Sequence, residues 1–142
     1  MITTEGFWFL RKKVNKVKLR NCGAIKKADI EFKSGLNIIK GKGATGKSTV
    51  IKYLKSKYDK LSHSEQIMMM LDGFLGLHES LLIDDVLGGM DKKNLSKTLI
   101  KLSTFKQQII LTLVEMPQEF LSKIKNSKVK CNVIDTRDFK LR

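Results

Sequence analysis

The residues Gly41-Lys42-Gly43-Ala44-Thr45-Gly46-Lys47-Ser48 fit the pattern G-x-x-x-x-G-K-[ST] at every required position. The apolar segment Leu36-Asn37-Ile38-Ile39 precedes the run, and a helix-compatible segment from Thr49 to Lys57 follows it. A strand that enters a glycine-rich loop and leaves it as a helix aims several backbone N–H groups, and the positive end of the helix dipole, at one point. A triphosphate suits that point. Lys47 is expected to reach the β- and γ-phosphates as a mobile point charge, and the Ser48 hydroxyl to ligate Mg²⁺. Gly41, Gly43 and Gly46 allow the tight turn and the close backbone approach. Thr49 completes the expected phosphate-binding set.

A phosphate loop needs an acidic partner, and Leu81-Leu82-Ile83-Asp84-Asp85 supplies one. An apolar strand here delivers two carboxylates at its C-terminal edge, where ligands of open α/β sheets bind. Asp84 is expected to share the Mg²⁺ with Ser48, usually through a water, because Mg²⁺ binds through few carboxylates and keeps several waters. Asp85 would orient or deprotonate the attacking water, and Lys47 would steady the transferring phosphate. The alternative is that the two aspartates only cap the following turn.

The elements that must position these residues are legible from periodicity. Val14 to Leu19 and Ala28 to Phe32 alternate apolar and polar in the manner of half-buried strands, separated by the turn Asn21-Cys22-Gly23. With Leu36 to Ile39 this predicts three strands before the loop, opening antiparallel. Val50, Ile51 and Leu54 lie at helical spacing. A second helix is expected over Leu61 to Leu77, with Ser62 or Ser64 as N-cap, Glu65 three residues after Ser62 in the pattern of a capping box, and the run Ile67-Met68-Met69-Met70-Leu71 as core. Ser80 to Ile83 reads as a strand, Asp91 to Ser103 as a helix, and Gln107 to Leu113 as a buried strand. A short helix from Pro117 and a strand over Val129 to Ile134 complete the order. Alternating strands and helices predict an α/β fold with a mostly parallel, doubly covered sheet, and the Gly41–Ser48 motif at a strand end makes the expected fold that of a P-loop NTPase.

Composition sets the outer limits. The 142 residues suit a single domain spanning 1–142, and no apolar stretch reaches the roughly 18 residues of a membrane span, so a cytoplasmic location without membrane contact is expected. Cys22 and Cys131 lack metal-type or C-x-x-C spacing and read as ordinary thiols. A formal net charge of +14 attracts polyanions, which makes non-specific nucleic acid a candidate partner. A simply solvated lysine surface is the other reading. No arginine lies between Arg20 and Arg137, so sequence-specific base reading is not indicated.

Around these motifs the chain resembles the ABC-type ATPases, most closely the SMC and RecF branch that works on DNA. Val17-Lys18-Leu19-Arg20-Asn21-Cys22 through Ile30-Glu31-Phe32, then Ser34 to Gly41, looks like the opening of those heads. Leu61-Ser62-His63-Ser64-Glu65-Gln66 is similar to a degenerate LSGG[QE] signature. Asp84 to Asp91 is similar to the D-E-P-x-x-x-L-D block, whose last Asp belongs to the D-loop. The resemblance implies an ATP·Mg²⁺ site completed by a second copy of the chain in a head-to-tail dimer. Ser62, near the N-terminus of the signature helix, would contact the γ-phosphate held by the other copy, and Asp91 would join the composite site.

Departures from the family pattern imply slow hydrolysis. The catalytic glutamate is Asp85 here, the position matching the switch histidine is Leu113, and the signature glycines are His63 and Ser64. Only 36 positions separate Ser48 from Asp84, too few for the family's helical subdomain or coiled-coil arms, so an unidentified protein partner enters the expectation. His63 and His78 read as loop and turn residues. A second function is an ATP-dependent binding or regulatory module with little turnover. A small P-loop kinase fits the length but lacks the arginines that hold a transferring phosphate.

Overall fold

Strand periodicity divides the apolar residues between two cores, one on each face of a five-stranded sheet. The computed structural model describes residues 6–43, 45–58, 62, 64, 65, 67, 68, 80–84 and 87–142. Within them the order is β1 (Phe7–Leu10), β2 (Lys16–Cys22), β3 (Ile25–Glu31), β4 (Leu36–Lys40), α1 (Lys47–Lys57) and β5 (Ser80–Ile83). There follow α2 (Lys92–Leu102), β6 (Gln108–Leu113), α3 (Gln118–Lys125), β7 (Asn132–Asp135) and β8 (Lys140–Leu141). Short 3-10 turns occupy Leu87–Gly89 and Thr136–Asp138.

The main sheet runs β1-β5-β6-β4-β7, with β5, β6, β4 and β7 parallel and β1 antiparallel at the edge. The residues Leu36 to Ile39 and all of β5 and β6 are buried, as strands covered on both faces must be. Leu36, Ile38, Leu81, Ile83, Ile109 and Leu111 face one core, with Leu95 and Leu99 of α2 and Phe120 of α3. Their neighbours Ile39, Leu82 and Ile110 face the other, against Val50, Ile51 and Leu54 of α1. A second, antiparallel sheet of β2, β3 and β8 closes over that core through Val17, Leu19, Ala28 and Ile30. Helix α1 is thereby held between two sheets, and the loop that opens it cannot drift from the strand ends.

The expected mixed α/β architecture with a mostly parallel sheet is present, and particulars differ: the turn expected at Asn21-Cys22-Gly23 lies one step later, since β2 runs through Cys22. Phe7–Leu10, which the periodicity assigns to no element, is a strand: Phe7 to Leu10 lie opposite Ile83 to Ser80. Among the described residues four strands, not three, therefore precede the loop. The last parallel strand starts at Asn132 because its pairing with β4 starts at Asn37, while Val129 and Cys131 pack onto the core before it. Finally, Lys140–Leu141 returns to pair with β3, a two-residue strand too short to carry a periodic signal. Pro117 stands just before α3, as its N-cap, where its missing N–H costs nothing.

Ser62 and Glu65 form the expected reciprocal box: the Glu65 N–H donates to the Ser62 hydroxyl at 3.2 Å, and the Ser62 N–H to the Glu65 carboxylate at 3.0 Å. Ser64, Glu65, Ile67 and Met68 are helical, but Met68, expected in the core, is 50% exposed. The remainder of the expected second helix from residue 69 lies outside the described residues, as do Ala44, His63, His78 and Asp85. No helix among the described residues is long and apolar enough to cross a membrane.

At the strand ends away from the loop, two buried amides tie connections to the sheet. The Gln108 side chain donates to the Val14 and Lys33 carbonyls at 2.7 and 2.9 Å and accepts the Val14 N–H at 2.8 Å. Asn37 accepts the Lys33 N–H and donates to its carbonyl, both at 2.8 Å.

Candidate functional site

The loop after β4 starts in register with the sheet: the Gly41 N–H donates to the Leu113 carbonyl at 3.1 Å, continuing the pairing of β4 with β6. A Cβ at Gly41 would lie 2.0 Å from the Thr136 hydroxyl, so only glycine passes beneath the turn that follows β7. Gly46, the N-cap of α1, has φ 103°, a left-handed conformation that disfavours side chains, and a Cβ there would meet Ile25 at 2.9 Å. The loop's shape thus depends on its glycines and on both sheets.

A glycine N-cap has no side-chain acceptor, and the first turn of α1 contains no acidic residue. The opening N–H groups of a helix have no internal partner, so at this end they are offered to an acceptor from outside. The Lys47 ammonium donates to the Gly41 carbonyl, folding back across the loop's mouth. Ser48 is exposed beside it. Thr49 lies under the β2–β3 turn, where a Cβ on Gly23 would come within 2.8 Å of its hydroxyl.

Asp84 extends the edge pairing through its N–H, which donates to the Gly6 carbonyl at 2.9 Å. Its carboxylate accepts the Thr112 hydroxyl at 3.0 Å. Thr112 lies opposite Ile39, and Ile83 lies opposite Leu111, so Asp84 is two strands from the loop strand at the same level. Two interstrand spacings make about 10 Å. The donor set there is one hydroxyl and one carboxylate, oriented by a neighbour, which suits a hydrated Mg²⁺ better than a metal needing an all-protein cage. No cluster of three His, Cys, Asp or Glu with metal-binding geometry occurs among the described residues.

Other expected site residues lie in other settings. Asp91 is the N-cap of α2, and its carboxylate accepts the Asn94 backbone and side-chain N–H groups at 2.8 and 2.9 Å. The Ser62 hydroxyl is engaged by Glu65, which also pairs with Arg11 at 2.8 Å. Leu113 is buried in the core at the end of β6.

One group escaped the sequence reading. Arg137 donates from Nε and Nη2 to both carboxylate oxygens of Asp135, with contacts from 2.7 to 3.2 Å, while Lys40 stands 3.8 Å away. The Arg137 side chain beside it holds the Asp135 carboxyl well below its ordinary range, to about 2. Beside this pair a cleft of about 550 Å³ opens against the phosphate loop, walled by Lys42, Thr45, Val114, Gln118, Leu121 and Thr136 among others. The hydroxyls of Thr45 and Thr136 are buried and have no hydrogen-bond partner among the described residues. The available signal was Asp135-Thr136-Arg137 at the C-terminal end of a strand, carrying the first arginine after Arg20.

Comparison of the chain with protein-family models, with curated proteins and with solved structures gives no match.

Proposed function

We propose that this chain binds ATP·Mg²⁺ through the loop Gly41–Ser48 and is a slow ATPase of the ABC, SMC and RecF type. The observation that carries the reading is the uncapped N-terminus of α1 at the mouth of a glycine-shaped loop, with Lys47 against it and Asp84 level with it across β6. Lys47 exchanges the Gly41 carbonyl for the β- and γ-phosphates, an exchange of a neutral acceptor for an anionic one. Ser48 and Asp84 hold the metal, which when bound neutralises charge on the phosphates. Asp85 then serves as the base for the attacking water. Two copies close head-to-tail, with Ser62 of each presented to the γ-phosphate of the other.

Slow turnover follows from what lines the end of β6. Leu113 is apolar and buried, and the nearby Thr112 hydroxyl is directed to Asp84. That favours ATP as the adhesive of a dimer over ATP as a rapidly consumed fuel, and it keeps the regulatory module as the second reading. Light scattering with a non-hydrolysable ATP analogue and Mg²⁺ tests the proposal. A mass twice that of the chain is expected with the analogue and Mg²⁺, and Ser62→Arg should hold the chain at the monomer mass. A monomer at saturating analogue would refute the head-to-tail dimer.

A further inference from the structure

We infer that the cleft between the phosphate loop and the Asp135–Arg137 turn receives the nucleoside end of the bound nucleotide, with the Arg137 guanidinium as the face on which the base stacks. The inference rests on the triphosphate reading of the loop and adds where the rest of the ligand goes.

Position is the first argument. Lys40, Gly41, Lys42 and Thr45 form one wall of the cleft, so a ligand anchored by the loop has this space beside it. Size is the second: about 550 Å³ lies within the range of small-molecule sites and accommodates a base and a ribose. Chemistry is the third. Val114, Met116 and Leu121 give apolar surface, while Glu115 and Gln118 supply acceptors and a donor for the edge of a base.

Arg137 is held for such use. Its guanidinium is locked in a two-point fork by Asp135 yet is 83% exposed. A planar cation fixed by a carboxylate and open on its faces stacks on flat rings. Thr136, only 2% exposed, borders the cleft where its hydroxyl packs over Gly41, which ties the Asp135–Arg137 turn to the phosphate loop.

Calorimetric titration with ATP and with inorganic tripolyphosphate, both with Mg²⁺, tests the inference on the whole chain. The wild type should bind ATP more tightly than tripolyphosphate, because only ATP fills the cleft. Arg137→Ala should weaken ATP about fivefold more than it weakens tripolyphosphate. Val114→Arg, a change at a half-exposed wall position, should likewise lower the ratio of the two affinities. Equal affinity for the two ligands, or an unchanged ratio in both variants, overturns the nucleoside cleft and leaves the phosphate loop standing. Failure of the wild type to bind either ligand overturns both.

Discussion

The Thr112 hydroxyl, at the end of β6, donates to the Asp84 carboxylate at the end of β5 at 3.0 Å. One strand thereby aims the acidic group of its neighbour toward the loop carried by the strand on its other side. Removing that donor leaves Asp84 in place but free to rotate. Thr112→Val should weaken Mg²⁺-dependent ATP binding by roughly three- to tenfold, the effect of one charge-assisted hydrogen bond shared between conformers. Titration of Mg²⁺ at fixed ATP measures it, and an unchanged Mg²⁺ midpoint would show that Thr112 does not orient the carboxylate.

The basic surface has a measurable consequence. On the outer face of the second sheet, Lys27 lies opposite Lys140 on one side and, on the other, opposite Arg20, whose guanidinium pairs with Asp29 at 2.9 Å. Like charges directly opposed in a sheet repel. A polyanion alongside relieves that repulsion, so binding to unrelated duplex DNA should weaken steeply between 50 and 200 mM salt. Lys27→Glu with Lys140→Glu should flatten the salt slope by roughly two units. Fluorescence anisotropy reads both, and no binding at low salt would assign the charge to solvation alone.

Acid should loosen the cleft rim. Asp135 has its pKa lowered, first by the Arg137 side-chain hydrogen bonds, from 3.8 to about 2. A carboxyl whose folded value lies below its unfolded one adds stability above the unfolded value and loses it as pH falls through the folded one. Denaturant midpoints should therefore drop between about pH 4 and pH 2, and Asp135→Asn should remove part of that drop. An identical acid limb in the variant would contradict the pairing.

The buried Gln108 amide satisfies three backbone groups at once. Gln108→Leu preserves volume but leaves those groups unpaired inside the protein, at a cost of about 2–4 kcal/mol. Chemical denaturation should show the loss without a change in the denaturant slope.

Cys131 is half-buried, and burial pushes its thiol up to about 12. At pH 8 the reactive thiolate is then a fraction on the order of 10⁻⁴. Iodoacetamide should label Cys131 in the folded chain far more slowly than in urea, as peptide mass mapping would record.

How far the chain could be read in advance differed by element. β4, β5 and β6 announced themselves because both their faces are buried, which leaves continuous apolar runs such as Leu81-Leu82-Ile83. The loop was legible because its glycines stand at fixed spacing in the run Gly41–Ser48, while the contacts that require them, Thr136 over Gly41 and Ile25 beside Gly46, are long-range. β1 was not, because its strand character depends on β5, more than 70 residues away along the chain. Likewise Asp135 and Arg137 are a strand end and a turn with no motif of their own. Only the pairing of β7 with β4 brings them beside the loop.

Isothermal titration of the whole chain with ATP·Mg²⁺ tests whether Lys47 and its loop hold ATP. Saturable binding at one site per chain is predicted, with Lys47→Ala weakening it at least a hundredfold, as loss of a charge buried against phosphate implies. Equal binding by the wild type and Lys47→Ala, or heat of dilution alone from the wild type, would contradict it.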